Sequence, residues 1–153
     1  MNENANQILP RLWLGNKASS VDTEFLHTNS ITVVFNCTKH LPFSPAITRK
    51  YRVPIDDNLE HIEIANLETW APEIVYKLRK EYNMGRTILI HCHAGMQRSA
   101  AVMAMALLVL LGKPLPDIVA YIRSKRPIAF FPRANFFQAM RGFETSWNRA
   151  IRV

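Results

Sequence analysis

Hydrophobic and polar positions come in blocks along this chain, and the blocks alternate between two periods. "RLWLG" (11–15) reads as a short strand ending at Gly15, and "SVDTEFLHTN" (20–29) as a short helix with Ser20 as its N-cap. "ITVVFNC" (31–37) is rich in β-branched residues between polar turns, the pattern of a buried strand. "YRVPI" (51–55) is a further short strand, pushed towards a sheet edge by Pro54. From 67 to 82, Leu67, Trp70, Ile74, Val75 and Leu78 recur at helical spacing, and Gly85 closes the segment. "TILIHC" (87–92) follows as a buried apolar strand, so the helix before it is a crossover onto a parallel neighbour. The unbroken apolar run 100–111 is too short to span a bilayer and suits a core helix. Two more helices are expected at 116–124 and about 134–147, with Phe136, Phe137, Met140 and Phe143 as a core stripe. The pattern is α/β: a small, mostly parallel sheet of four to five strands with helices on both faces.

The 153 residues fit a single domain, 1–153 with its core at about 8–147, and 48% hydrophobic with 20% charged residues is ordinary globular composition. Two cysteines and no charged-then-apolar opening segment point to a reducing setting, cytoplasmic or nuclear, with no membrane partner. A formal charge of +7 draws polyanions and phosphorylated partners alike. The basic residues are scattered, densest at 48–52, 77–82 and 123–127, and read there as a solvated surface.

The chemistry concentrates in "ILIHCHAGMQRSAAV" (88–102), where Cys92 stands at the carboxyl end of a strand and a helix opens near Arg98. Ligands of open α/β sheets bind at such strand ends, and a helix N-terminus offers unpaired N–H groups to an anion. Gly95 lets the loop curl so that successive amides converge on one point. The implied shape is a cup for a phosphate-like dianion. A cysteine at its base is held towards the nucleophilic thiolate near neutral pH, and Arg98 presents a planar fork to phosphoryl oxygens. A zinc site built on His91, Cys92 and His93 is disfavoured, because successive strand side chains face opposite ways and no second ligand pair has metal spacing. His91 is expected to hydrogen-bond beneath the loop and His93 to face the surface. Neither metal nor cofactor is required.

"HCHAGMQRS" resembles the H-C-x5-R-S signature of the cysteine-dependent protein phosphatases, specifically the dual-specificity subfamily. The resemblance continues in "ILPRLWLGNKASSVDTEFLHTNSITVVFNCT", "YRVPIDDN" and "FFPRANFFQAMRGFE", over about residues 8–144. It implies that Cys92 attacks phosphorus, that Arg98 and the backbone of His93, Ala94, Gly95, Met96, Gln97 and Arg98 hold the oxygens, and that an aspartic acid protonates the leaving group. The subfamily's Pro-x-x-Asp spacing puts that acid on Asp57. Neighbouring side chains of an extended segment point apart, so Asp56 and Asp57 cannot both serve. Ser99 matches the hydroxyl that assists thiolate release in the family, with a helix N-cap as the plainer alternative. One departure stands out: Arg133 follows Pro132 where the family usually has an Asn that braces the phosphate loop, so either the brace is replaced or Arg133 turns outward.

The family resemblance implies a phosphorylated protein as substrate. The short chain implies a shallow pocket open to phosphotyrosine, phosphoserine and phosphothreonine. The loop interior lacks the lysines typical of phosphoinositide relatives. A lipid or RNA 5′-phosphatase and a non-catalytic phospho-binding module are the alternatives, and a monomer is the default. Cys37, at the end of the strand beside that of Cys92, reads as a core thiol; the alternative is a resolving thiol that forms a disulfide with oxidised Cys92.

Overall fold

The computed structural model describes residues 3–151. Strands β1 (Ala5–Leu9), β2 (Leu12–Gly15), β3 (Ile31–Asn36), β4 (Arg49–Arg52) and β5 (Thr87–His91) form one sheet in the order β1-β2-β5-β3-β4. All pairings are parallel except β1 with β2. β5 therefore lies at the centre, bonded on both sides and covered on both faces, which is why its middle residues Ile88, Leu89 and Ile90 are apolar.

The sheet's alternation divides two cores. Leu12, Leu14, Val33, Phe35, Ile88 and Ile90 face the larger, covered by helices α3 (His61–Asn83), α4 (Arg98–Leu111), α5 (Leu115–Lys125) and α6 (Phe137–Ile151). Ile31, Val34 and Leu89 face the smaller, covered by α2 (Thr23–Thr28), where Trp13 meets Phe25 edge-on at 5.3 Å. Every residue of α4 from Ser99 to Leu108 is buried, so this helix is enclosed by the sheet and its neighbours. No single described helix is long and apolar enough to cross a membrane.

Several expectations are corrected. Ser20 does not cap the short helix expected over 20–29. It ends a one-turn helix α1 (Lys17–Ser20), where its hydroxyl donates to the Lys17 carbonyl, and Asp22 caps α2 by accepting from the Phe25 N–H. β1 lies outside the expected strands; "ANQIL" has little apolar content because only Ile8 among its side chains is fully buried. α3 starts at His61, six residues before the expected 67, because its first turn leaves Ile62 exposed and only partly buries Ile64, and is tied down by Glu63 through Lys39 rather than by a regular core stripe. Phe137 leaves the core stripe and is 51% exposed, while Phe136, Met140 and Phe143 are buried.

Candidate active site

Cys92 follows the last residue of β5, is 2% exposed, and lies at the floor of a pocket of about 350 Å³. What shapes this pocket is the fate of the loop's carbonyl groups. His91 Nδ1 approaches the Cys92 carbonyl at 3.3 Å, and the Lys17 N–H donates to that of His93 at 3.0 Å. Arg126 donates to the carbonyls of Ala94 (3.1 Å) and Gly95 (2.8 Å), and the Phe130 N–H to that of Met96 (2.8 Å). In a planar trans peptide the N–H points opposite to the C=O. Five carbonyls tied to the surrounding scaffold therefore turn the next five amides, His93 to Gln97, the other way, into a nest for an anion. Gly95 is required at its turn: φ is +69°, and a Cβ there would stand 2.5 Å from the Gly15 carbonyl oxygen.

Arg126 is the residue that the sequence reading missed. It falls within the basic stretch 123–127 read as solvated surface, yet it is 1% exposed and also donates to the Glu3 carbonyl and Asn6 Oδ1. The available signal was its place before Pro127, at the C-cap of an amphipathic helix, where a side chain can turn inward.

The other candidates converge on the same pocket. Ser99 Oγ is 3.0 Å from Cys92 Sγ, within the first turn of α4; the N-cap position belongs to Gln97. Arg98 is anchored by Nη1 to the Ile55 carbonyl (3.1 Å), and its buried Nε has no hydrogen-bond partner among the described residues. Asp57 lines the pocket with Cys92 and Arg98. Asp56 points elsewhere, 3.1 Å from Lys39 Nζ.

His93 is exposed at the rim, whereas His91 is wholly buried. Burial pushes the His91 pKa down to about 4; the Cys92 carbonyl opposes this, and the charges of Arg52 and Arg98 add to it. It is a neutral imidazole at pH 7, able to donate from Nδ1. The side chain of Arg133 is exposed and only its carbonyl meets the loop, accepting from Gln97 Nε2 at 2.8 Å. Gln97 also takes over the bracing, as it donates to the Phe131 carbonyl and accepts from the Asn135 N–H. Cys37 is buried beside this strand, its N–H bonded to the His91 carbonyl; burial first, then the charge of Cys92, raises its thiol pKa well above the ordinary value against an opposing effect of Arg98. Among the described residues no cluster of three or more His, Cys, Asp or Glu has metal-binding geometry.

Comparison with known proteins supplies the family and the fold. Residues 12–146 match the family profile described as "Dual specificity phosphatase, catalytic domain". Similar curated proteins include the dual specificity protein phosphatase Mpk3 of Drosophila melanogaster, 31% identical over 94% of this chain and 35% of that protein. Human dual specificity protein phosphatase 2 is 27% identical over 91% of this chain and 43% of its own length. The chain thus spans less than half the length of these relatives. Among solved structures, DUSP15 is 25% identical with a TM-score of 0.84, covering 98% of this chain and 94% of that one. The human tyrosine phosphatase-like serine/threonine/tyrosine-interacting protein, at 24% identity and a TM-score of 0.82 over 94% of this chain and 97% of its own, shares the fold.

Proposed function

Since this chain belongs to the dual specificity phosphatase catalytic-domain family, we propose that it is a cysteine-dependent phosphatase of phosphorylated proteins, open to phosphotyrosine, phosphoserine and phosphothreonine. The observation that carries this reading is the meeting, in one pocket, of the Cys92 thiol, an amide nest, the Arg98 guanidinium and the Asp57 carboxyl. In the proposed reaction Cys92 Sγ attacks phosphorus in line. The S–P bond forms as the P–O bond to the alcohol or phenol breaks, and Asp57 gives its proton to the departing oxygen. Water then attacks the phosphocysteine, Asp57 takes back a proton, and the S–P bond breaks to return the thiolate, towards which the Ser99 hydroxyl donates. The amides of His93 to Arg98 and the Arg98 fork carry the equatorial oxygens, where electrostatic stabilisation matters most.

Protein rather than inositol-lipid substrates are supported by the absence of lysine between His93 and Gln97. Because the fold is shared with a protein described as phosphatase-like and interacting, turnover itself is the decisive measurement. Wild type should hydrolyse an aryl phosphate with EDTA present and be inhibited by vanadate, and Cys92→Ser should bind vanadate without turnover, since its hydroxyl is not ionised at pH 7. Activity that EDTA abolishes and metal restores would overturn the mechanism, and vanadate binding without turnover by wild type would make the chain a binding module. A panel of phosphopeptides, inositol phospholipids and triphosphorylated RNA, compared by kcat/KM, identifies the substrate class.

A further inference from the structure

The side-chain amide of Gln97 is fully engaged on the segment 131–135. Nε2 donates to the carbonyls of Phe131 (3.1 Å) and Arg133 (2.8 Å), and Oε1 accepts from the Asn135 N–H (2.9 Å). Gln97 is 7% exposed, so these bonds are largely shielded from water. The segment's course is therefore dictated by the phosphate loop itself. From it Asn135 extends across the pocket, and its Nδ2 donates to Asp57 Oδ1 at 2.9 Å. On the far side Asp56 is fixed by its N–H to Glu63 Oε1 (2.8 Å) and by Lys39. The acid-bearing segment is thus held at both faces, and one hold leads back through Gln97 to the cup.

We propose that Asn135 is a positioning residue for Asp57, anchored by Gln97, so that the phosphate loop sets the place of its own proton donor; this rests on the reading of Asp57 as general acid. The chemistry follows from the donor's identity. A carboxyl's carbonyl oxygen is a better acceptor than its hydroxyl oxygen, so an amide N–H on Oδ1 favours the form of the protonated acid with its proton on Oδ2. Proton transfer needs that oxygen within hydrogen-bond reach of the leaving group. A displacement of about 1 Å costs up to ~10²-fold in rate. Asn135 accordingly governs both the aim of the carboxyl and which of its oxygens holds the proton.

The test compares Asn135→Ala, Asp57→Ala and the double variant on a tyrosyl phosphate and on an activated aryl ester whose leaving group needs no proton. Asn135→Ala keeps the main-chain N–H that Gln97 uses, so the segment retains its anchor. The expected result is a fall in kcat of about ten-fold on the tyrosyl phosphate, a much smaller fall on the activated ester, unchanged vanadate affinity, and no further loss when the substitution is added to Asp57→Ala. Equal losses on the two esters, or losses that multiply in the double variant, would overturn the proposal. Asp57→Ala without a leaving-group-dependent loss would instead remove the general-acid reading on which it stands. If Asn135→Ala is poorly folded, Asn135→Ser supplies the same comparison, and the same two outcomes decide.

Discussion

Ser99 Oγ and Cys92 Sγ lie 3.0 Å apart in a wholly buried corner of the cup, one at the start of α4 and the other just past β5. A hydroxyl donating to a sulfur helps whichever step puts negative charge there, which in the proposed reaction is the release of the thiolate from phosphocysteine. Hydrogen bonds to charged groups contribute about 1.5–3 kcal/mol, or roughly ten- to a hundredfold in rate. Ser99→Ala should therefore slow steady-state turnover by that factor while leaving the first turnover fast. Rapid-quench kinetics should show a burst and trapped phosphoenzyme; equal slowing of the first turnover would place Ser99 at a different step.

The two aspartates separate by direction. Asp57→Ala should lower kcat by ~10²- to 10⁴-fold on a phosphotyrosyl peptide, the usual cost of losing a general acid, and much less on an activated aryl ester. Asp56, paired with Lys39 at the outer face, should cost little when changed to Ala. A larger, leaving-group-dependent loss for Asp56→Ala would move the assignment by one residue.

Arg126 holds two loop carbonyls, and Arg126→Met leaves both buried without a donor. At about 1–3 kcal/mol each, the loss of stability should be roughly 2–6 kcal/mol, visible as a lower urea midpoint. The freed amides no longer share one orientation, so vanadate affinity should fall as well. Unchanged affinity in the folded variant would show that the nest is held by its other anchors alone.

The pH dependence of stability should carry the mark of His91. Its folded pKa of about 4 lies below the ordinary 6.5, chiefly through burial. The unfolded chain therefore binds the extra proton first, and stability is complete above pH 6.5 and is lost as pH falls towards 4. The difference corresponds to about 3 kcal/mol. Urea titrations at pH 7.5, 5.5 and 4.5 should show this decline, and His91→Gln should flatten it. The buried Glu81 contributes in the same sense only below 4.5: burial raises its pKa, but hydrogen bonds from Tyr51, Arg49 and Arg86 outweigh that and hold it down.

Cys37 should behave as a core thiol. Kept protonated by burial and by the neighbouring Cys92, it should resist iodoacetamide in the native protein and react only on unfolding, while Cys92 is alkylated first. Peptide mapping after labelling checks this. A 37–92 linked peptide after mild peroxide treatment would show that Cys37 acts as a resolving thiol instead.

The sheet and its crossover helix were legible because β3 and β5 are buried on both faces at their centres and carry the apolar runs Val33–Phe35 and Ile88–Ile90 there. Element starts were less so. Asp22 prevails over Ser20 as the cap because Ser20 is already enclosed in the preceding turn, a tertiary fact that local residue preference does not encode. In the site, Cys92 and Arg98 were visible from their setting between strand and helix. The inward turn of Arg126 and the reach of Gln97 to the segment 131–135 were not, since a buried guanidinium and an exposed one are written with the same letter. Arg133 marked where a brace was missing, but only the folded chain shows Gln97 in its stead.

Beyond His91, the anchors of the phosphate nest come from Lys17 on one side and from Arg126 and Phe130 on the other, more than a hundred positions further along the chain. During synthesis Cys92 emerges well before the last two of these. Until Phe130 has left the ribosome and α5 has docked, the carbonyls of Ala94, Gly95 and Met96 lack their partners, and the amides that follow them have no reason to converge. A nascent chain displaying the whole H-C-x5-R sequence therefore has a thiol but only part of its oxyanion receptor. The proposed reaction should therefore become possible only late in folding, and a stalled or truncated product ending before residue 126 is expected to be chemically silent rather than a weak, unspecific phosphatase.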